Sequence, residues 1–316
     1  MLQYLIIQLD SSSPSFCHYT NDGSARLMPI ETLRKAIFFA MTENLIVQYL
    51  VPDAPLPAEY EALMRQVEHS IIARQGVRTD VDVEVIEGIP DGEPTGWNTN
   101  GVYIIRTSKD ELYSRSSLLA KLMLRSLRIN VVLTDVERFT DDDYPKYEQA
   151  LQEIADVVAG SLKRGSRLPQ SNLLTDRLML GDMNNCNAGV KSVTLMPDGK
   201  FYVCPAFCID GDYDLSLGDQ SIGSLDEGLQ IPNPQLYDLK HAPICRRCDA
   251  WQCKRCVWLN QRLTNDVNTP SHQQCVISHV ERRQSKLLGQ RLQVKPEWPI
   301  PDLDYDDPFA IATQWK

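Results

Sequence analysis

Hydrophobic and polar positions in the first 165 residues follow two periods. Short β-branched runs alternate with segments in which apolar residues recur every three or four positions, and these are the periods of strands and of amphipathic helices. The predicted strands are residues 2–9, 45–51, 81–86, 102–106 and 129–133. The predicted helices are residues 30–41, 58–73, 116–127 and 144–162. Strands that alternate with helices predict βαβ units and a mainly parallel sheet, either open or curved into a partial (βα) barrel.

The cysteines change this picture because they are distributed unevenly. Of the nine, only Cys17 lies in the first 185 residues, and the other eight lie within residues 186–275. Residues 165–172 read Gly-Ser-Arg-Leu-Pro-Gln-Ser-Asn, which is typical of a linker. We therefore expect an α/β domain over residues 1–175 and a small cysteine-rich domain over residues 176–316. The second domain includes an acidic run at residues 302–307, interpreted as a solvated tail.

Composition and charge exclude several classes of protein. Apolar residues make up 43% of the chain and charged residues 23%, which is ordinary globular composition. The formal net charge of -10 would repel nucleic acid and anionic lipid. Residues 2–9 have no basic flank or cleavage site, and no apolar run approaches the roughly 20 residues that cross a bilayer. We expect a cytoplasmic protein that binds neither nucleic acid nor membrane, and whose clustered cysteines are metal ligands or catalytic groups.

The cysteine-rich part begins with a predicted hairpin. Residues 193–203 lie between Cys186 and Cys204, and Asp198-Gly199 suits its tight turn. The hairpin is expected to bring Cys186 and Cys204 close together. Two Cys-x2-Cys pairs follow, separated by four residues. The candidate metal ligands are Cys186, Cys204, Cys208, Cys245, Cys248, Cys253, Cys256 and Cys275.

Seven or eight thiolates can form two four-ligand sites, or one complete site and one with an open position. Zinc and iron–sulfur clusters both accept four thiolates, so the spacing does not choose between them. The residues alone favour zinc, because four-cysteine zinc sites are common in cytosolic proteins. In either case the metal would contribute to folding of this segment.

The loop after the first predicted strand is a candidate catalytic site, because ligands of parallel sheets bind at the carboxyl ends of strands. It contains Cys17 and His18. Nucleophilic catalysis by Cys17 with His18 nearby is one hypothesis. A polar surface loop is the simpler interpretation, since the sequence ties no acidic residue to the pair.

Residues 183–280 resemble the SPASM domain that follows the radical SAM barrel in peptide-modifying enzymes. The family pattern is a cysteine, a hairpin ending in Gly-x4-Cys, a four-cysteine run and a distant last cysteine. Here these are Cys186, Gly199 with Cys204, the run from Cys245 to Cys256, and Cys275. The run is spaced x2, x4, x2, whereas the family usually shows x2, x5, x3. Residues 221–225 also resemble the segment that follows the hairpin in the family.

This resemblance implies one or two auxiliary [4Fe-4S] clusters. It assigns one cluster to Cys245, Cys248, Cys253 and Cys275. It assigns the other to Cys186, Cys204 and Cys256, with Cys208 as a candidate fourth ligand.

The first half departs from the radical SAM pattern at the loop after the first strand. The family carries Cys-x3-Cys-x2-Cys there, and this chain has Ser13-x3-Cys17-x2-Thr20. The Gly-Gly-Glu-Pro segment expected after the second strand is also replaced by Pro52-Asp53-Ala54-Pro55. One thiolate cannot hold the SAM cluster, so reductive cleavage of SAM is not expected. This combination resembles the CXXX-repeat peptide maturase group.

The resemblance therefore implies a degenerate radical SAM/SPASM-like protein that takes part in maturing a ribosomally synthesised, cysteine-repeat peptide. It would bind the precursor peptide or assist an active radical SAM maturase, and these two are its expected partners. The alternative is a zinc-bound, cysteine-rich interaction module on an α/β domain with no redox role.

Overall fold

The computed structural model describes residues 2–21, 26–162, 167–209 and 218–293. The chain divides into two compact units, each made from two separate parts of the sequence. The first unit comprises residues 1–85 and 187–241, and the second comprises residues 86–186 and 242–316.

Eleven strands occur in the described residues, and nine of them make up a mostly parallel sheet. In chain order they are β1 (Tyr4–Gln8), β2 (Ile46–Leu50), β3 (His69–Arg74), β4 (Val83–Glu87), β5 (Val102–Thr107), β6 (Arg128–Leu133), β7 (Gln170–Ser171), β8 (Ser192–Leu195), β9 (Phe201–Tyr202), β10 (Gly223–Ser224) and β11 (Gly228–Leu229). The last two form a separate antiparallel pair.

Eight α-helices lie between and after these strands in the described part of the chain. They are α1 (Ile30–Thr42), α2 (Ala58–Met64), α3 (Lys109–Leu124), α4 (Asp143–Leu162), α5 (Asp176–Met179), α6 (Ala206–Ile209), α7 (Val257–Thr264) and α8 (His272–Leu292). None of the described helices is both long enough and apolar enough to span a membrane.

In the first unit, β1 is the central strand. It pairs in parallel with β2 on one side and β8 on the other, so that Ile7 lies opposite both Tyr49 and Leu195. The strand pairs continue with β3 and β4 beyond β2, again in parallel. The predicted hairpin is present, since β8 and β9 are antiparallel and Gly199 occupies the left-handed region at φ 81°. Residues 221–225 extend it, because the backbone N–H of Ile222 donates to the carbonyl of Phe201.

In the second unit, β5, β6 and β7 are parallel neighbours, and α4 packs against α3 and α8. The apolar face of α4 is completely buried at Tyr147, Leu151, Ile154 and Val158, spaced three or four residues apart. The mixed α/β class and the mainly parallel sheet are therefore confirmed.

The predicted helix over residues 58–73 is partly wrong. The helix α2 ends at Met64, and β3 occupies His69–Arg74. Pairing with β2 explains the difference, because Ile71 lies opposite Tyr49 and Ile72 opposite Leu50. Both isoleucines are buried. A short apolar run does not distinguish a helix from a strand by its period, and here sheet pairing determines the outcome.

The helix predicted over residues 116–127 begins earlier, at Lys109. Ser108 caps it, since its Oγ accepts a hydrogen bond from the backbone N–H of Glu111. Ser108-x2-Glu111 has the spacing of a capping box, a helix-start signal that the hydrophobic period does not contain.

Part of the predicted linker at residues 165–172 is a strand, because Gln170 pairs with Arg128 of β6. Residues 163–166 and the acidic run at residues 302–307 lie outside the described residues. The domain boundary near residue 175 stays a prediction.

Candidate metal centre

Four of the candidate ligands line one cavity in the second unit. They are Cys245, Cys248, Cys253 and Cys275, and we call this space the cysteine cavity. Its remaining lining residues are Met183, Ile244, Ala250, Arg255, Pro270, Gln274, Ser278 and His279. These four thiols are the set that the SPASM resemblance assigns to one cluster, and their role as ligands stays a prediction.

Tight turns direct these thiols into the cavity. The backbone N–H of Cys248 donates to the carbonyl of Cys245 at 3.0 Å, and that of Cys253 donates to Ala250 at 2.9 Å. Cys275 lies in the first turn of α8, which Ser271 caps by accepting from the N–H of Gln274 at 3.2 Å. The two turns and the helix start therefore fix the backbone at Cys248, Cys253 and Cys275.

Backbone donors point at two of the sulfurs. The N–H of Ala250 lies 3.4 Å from Cys248 Sγ, and the N–H of Arg255 lies 3.4 Å from Cys253 Sγ. Arg255 has φ 45°, in the left-handed region that residues with side chains rarely occupy. N–H groups directed at sulfur stabilise thiolate charge and orient metal-bound cysteines.

Burial dominates the electrostatics of the thiols. It raises the pKa of Cys245 to about 12, with a further rise from the neighbouring Cys253 thiol, and it raises the pKa of Cys248 to about 11. Arg255 opposes the rise at Cys245, because its guanidinium favours the thiolate. Without a bound cation these thiols are protonated near neutral pH, whereas metal binding deprotonates cysteine ligands.

The donor set fits a thiolate-bound group. Among the residues that the structure describes, no three or more Cys, His, Asp or Glu side chains have the geometry of a bound metal ion. Even so, four thiols face one cavity, and the buried Arg255 guanidinium on its wall is fixed by Asn185 Oδ1 at 3.0 Å and Asn268 Oδ1 at 2.9 Å. Four thiols beside a buried cation suit both a [4Fe-4S] cluster and zinc.

The other four candidate ligands are divided between the units. Cys186 and Cys256 belong to the second unit, where the N–H of Cys186 donates to the carbonyl of Lys254 at 2.7 Å and Cys256 is the N-cap residue of α7. Cys204 and Cys208 belong to the first unit. Their assignment to a second cluster, and the approach of Cys186 to Cys204, stay predictions.

The loop after β1 is held by hydrogen bonds within the protein. Ser13 is completely buried, and its Oγ donates to the carbonyl of Leu50 at 3.0 Å. Asn21 Nδ2 donates to the carbonyl of Ser13 at 2.5 Å. Cys17 is half-buried and Thr20 is exposed. Two of the three positions that would carry SAM-cluster thiolates therefore have hydroxyls, and one of these belongs to the core.

His279 is a cavity residue that the sequence reasoning missed. Its Nε2 lies 3.5 Å from Cys248 Sγ. His279 follows Cys275 by four residues on α8, so the two side chains share a helix face. The Cys275-x3-His279 spacing is the signal that could have identified it, once residues 272–292 are known to be helical.

A group of cations beside the cavity was also missed. Asp249, which follows Cys248, accepts hydrogen bonds from Arg177 Nη2 at 2.8 Å and Arg282 Nη1 at 2.7 Å, and Lys286 Nζ lies 3.1 Å away. Although burial opposes it, Arg282 and Lys286 hold the pKa of Asp249 well below its usual range. Three cations around one carboxylate leave positive charge beside the cysteine cavity.

Comparison with known proteins identifies the fold. No family model matches the chain, and no curated protein matches it. Among solved structures, the chain is similar to native anSMEcpe with bound AdoMet and Cp18Cys peptide, a radical SAM/SPASM peptide maturase. The TM-score is 0.61 and the sequence identity is 11%, and the match covers 93% of this chain and 99% of that chain. Streptococcus suis SuiB bound to precursor peptide SuiA gives a TM-score of 0.48 and 12% identity over 74% of this chain and 65% of that one. The chain therefore has a radical SAM peptide maturase-like fold, and at 11% identity the likeness to anSMEcpe extends to the fold alone.

Proposed function

We propose that this protein takes part in maturing a ribosomally synthesised peptide, holds an auxiliary [4Fe-4S] cluster in the cysteine cavity and does not itself cleave SAM. One observation carries the proposal. In a fold like that of a radical SAM maturase, four thiols gather at one cavity, while the loop after β1 offers only Cys17 for the SAM cluster.

The loop after β1 supports the absence of SAM cleavage. A [4Fe-4S] cluster that keeps one iron open for SAM needs three protein thiolates. Ser13 provides a hydroxyl that is already donated to Leu50, and Thr20 provides another hydroxyl at the surface. A hydroxyl is a much poorer iron ligand than a thiolate, because iron–sulfur clusters select soft ligands.

The cysteine cavity supports the retained cluster. Cys245, Cys248, Cys253 and Cys275 would hold it, and it would supply one-electron transfer. The N–H groups of Ala250 and Arg255 would stabilise thiolate charge, and the buried guanidinium of Arg255 would offset the net negative charge. A second cluster would use Cys186, Cys204 and Cys256, with Cys208 as candidate fourth ligand.

The partners follow from the same proposal. The protein would bind a cysteine-repeat precursor peptide or assist an active radical SAM maturase. Its net charge of -10 favours a basic segment in whichever partner it meets. A reducing, cytoplasmic location would keep the cysteines available for metal binding.

SAM turnover and cluster loading test the proposal together. Protein reconstituted anaerobically with iron and sulfide is expected to be brown, yet to form no 5′-deoxyadenosine from SAM under strong reductant. Cys17→Ala is the matched control and should leave iron content unchanged. Formation of 5′-deoxyadenosine by the wild-type protein that is lost in Cys17→Ala would contradict the proposed impaired catalyst.

Precursor binding tests the functional half of the proposal. A synthetic peptide containing cysteine repeats should bind the reconstituted protein, measured by fluorescence anisotropy, and a peptide with the repeat cysteines replaced by serine is the control. Equal, weak binding of both peptides, together with no effect of the protein on modification by an active maturase, would count against a role in maturation.

A zinc-bound interaction module is the second candidate, because four thiols on one cavity also suit tetrahedral zinc. Zinc–thiolate sites are colourless and contain no sulfide. Purified protein that contains zinc and takes up no iron or sulfide on reconstitution would favour this function.

A further inference from the structure

One face of α8 lies against both Cys248 and the residue that follows it. Cys275, His279, Arg282 and Lys286 recur at intervals of three or four residues, so they share this face. The first two line the cysteine cavity, and the last two pair with Asp249. The helix therefore holds the Cys248–Asp249 segment through both its sulfur and its carboxylate.

The contact between His279 and Cys248 has the geometry of a hydrogen bond to sulfur. His279 Nε2 lies 3.5 Å from Cys248 Sγ, close to the 3.4 Å separation of the Ala250 N–H from the same sulfur. In the tautomer with its proton on Nε2, the imidazole donates to this sulfur. Cys248 Sγ is thus approached by a backbone donor and a side-chain donor.

The surrounding ion pairs fix this arrangement. The guanidinium of Arg177 is completely buried, and it donates through Nε to the carbonyl of Asp249 at 2.9 Å and through Nη2 to its carboxylate at 2.8 Å. Arg282 approaches the other carboxylate oxygen from α8. The residue that follows Cys248 is therefore held from two helices, α5 and α8, so the Cys248 sulfur has little freedom to move away from the imidazole.

We propose that His279 is a positioning residue of the cysteine cavity, donating a hydrogen bond from Nε2 to the Cys248 thiolate when that sulfur holds a metal ion or cluster. This inference rests on the proposed function only in requiring a thiolate-bound group, and it holds for iron–sulfur or zinc. A donor at a metal-bound sulfur orients the ligand and withdraws charge from it, which strengthens binding and raises the reduction potential of an iron–sulfur cluster.

Three variants separate this role from simple packing. His279→Phe removes the donor and keeps an aromatic ring, whereas His279→Gln keeps an N–H at nearly the same distance from the backbone. His272→Phe makes the same change at an exposed histidine at the start of α8. Circular dichroism of all three would verify that α8 still forms.

Cobalt binding is the first readout, because thiolate-to-cobalt charge transfer reports on the cavity without iron chemistry. Relative to wild type, His279→Phe is expected to bind Co²⁺ about 10–100-fold more weakly, the usual effect of losing an outer partner of a metal ligand. His279→Gln and His272→Phe should stay close to wild type. After loading with iron and sulfide, the cluster of His279→Phe should have a more negative reduction potential than that of wild type, and His279→Gln should restore it.

The outcomes distinguish this inference from the proposed function. Normal wild-type loading with unchanged cobalt affinity and potential in His279→Phe would overturn the role of His279 alone. Nitrogen hyperfine coupling from an imidazole bound directly to the metal would also overturn it, since His279 would then be a ligand. Wild-type protein that binds neither cobalt nor iron would overturn both.

Discussion

Glu281 is a buried carboxyl group whose ionisation should control the pH dependence of stability. Tyr147 donates its hydroxyl to Glu281 Oε1 at 2.6 Å, and Gln252 Nε2 donates to Oε2 at 3.2 Å. Burial raises the pKa of Glu281 from 4.5 to about 7, and the two hydrogen bonds oppose this rise. The folded protein therefore holds the proton more tightly than the unfolded chain does.

The sign and size of the effect follow from that difference. A group with a raised pKa in the folded state contributes its full stability below the unfolded pKa and loses it as the pH rises through the folded pKa. The difference between 4.5 and about 7 corresponds to about 3 kcal/mol in the free energy of unfolding. Glu281 should therefore reduce stability by this order of magnitude between about pH 5 and about pH 8.

Glu281→Gln removes the titration and keeps the size of the side chain. We expect urea unfolding, followed by tryptophan fluorescence at a series of pH values, to show a fall in stability for wild type and a much flatter profile for Glu281→Gln. The test is the difference between the two proteins in the slope of stability against pH, because the amide of Glu281→Gln also changes the contact with Gln252 and so shifts the absolute stability. Parallel profiles for the two proteins would refute the reasoning and show that Glu281 is ionised in the folded state or titrates alike in both states.

Further stability predictions follow from single residues, each measured by urea or thermal unfolding against wild type. Asp249→Asn leaves the buried cations without a carboxylate and should cost about 3–5 kcal/mol; a loss below 1 kcal/mol, roughly the worth of a surface ion pair, would contradict this. Gly160→Ala, within α4 and with nothing near its added Cβ, should gain about 0.5–1 kcal/mol, so a lower melting temperature would contradict it. In Gly223→Ala the residue has φ 112° and its added Cβ would meet the backbone of β11, so the free energy of unfolding should fall by about 1–3 kcal/mol. The control is Gly92→Ala, whose added Cβ meets nothing within 4 Å. Equal stability of the two variants would contradict backbone strain at Gly223.

Local patterns predicted most of the parallel sheet because each strand is a compact apolar run bounded by turns. The run at residues 102–106 is found as Val102–Thr107, and the run at residues 129–133 as Arg128–Leu133. The failure at residues 69–74 has a different origin. Ile71 and Ile72 continue the apolar period of α2, and their pairing with the neighbouring strands β2 and β4 makes this segment a strand.

The sequence indicates that cysteines group at the cysteine cavity, and it does not indicate which other side chains surround them. Cysteine spacing places Cys245, Cys248 and Cys253 within a few residues, so their approach is a local property of the chain. The contact of His279 with Cys248 joins residues 31 positions apart. It depends on the packing of α8 against the Cys-x2-Cys turns, which no period in the sequence specifies.

Iron and acid-labile sulfide content, measured on anaerobically reconstituted wild type and variants, tests the central claim most directly. The account predicts that the double variant Cys253→Ala/Cys275→Ala loses about four irons and about four sulfides per chain, the content of one [4Fe-4S] cluster. Cys17→Ala should lose none. Unchanged iron in the double variant, or zinc without sulfide in the wild type, would contradict an auxiliary cluster in the cysteine cavity.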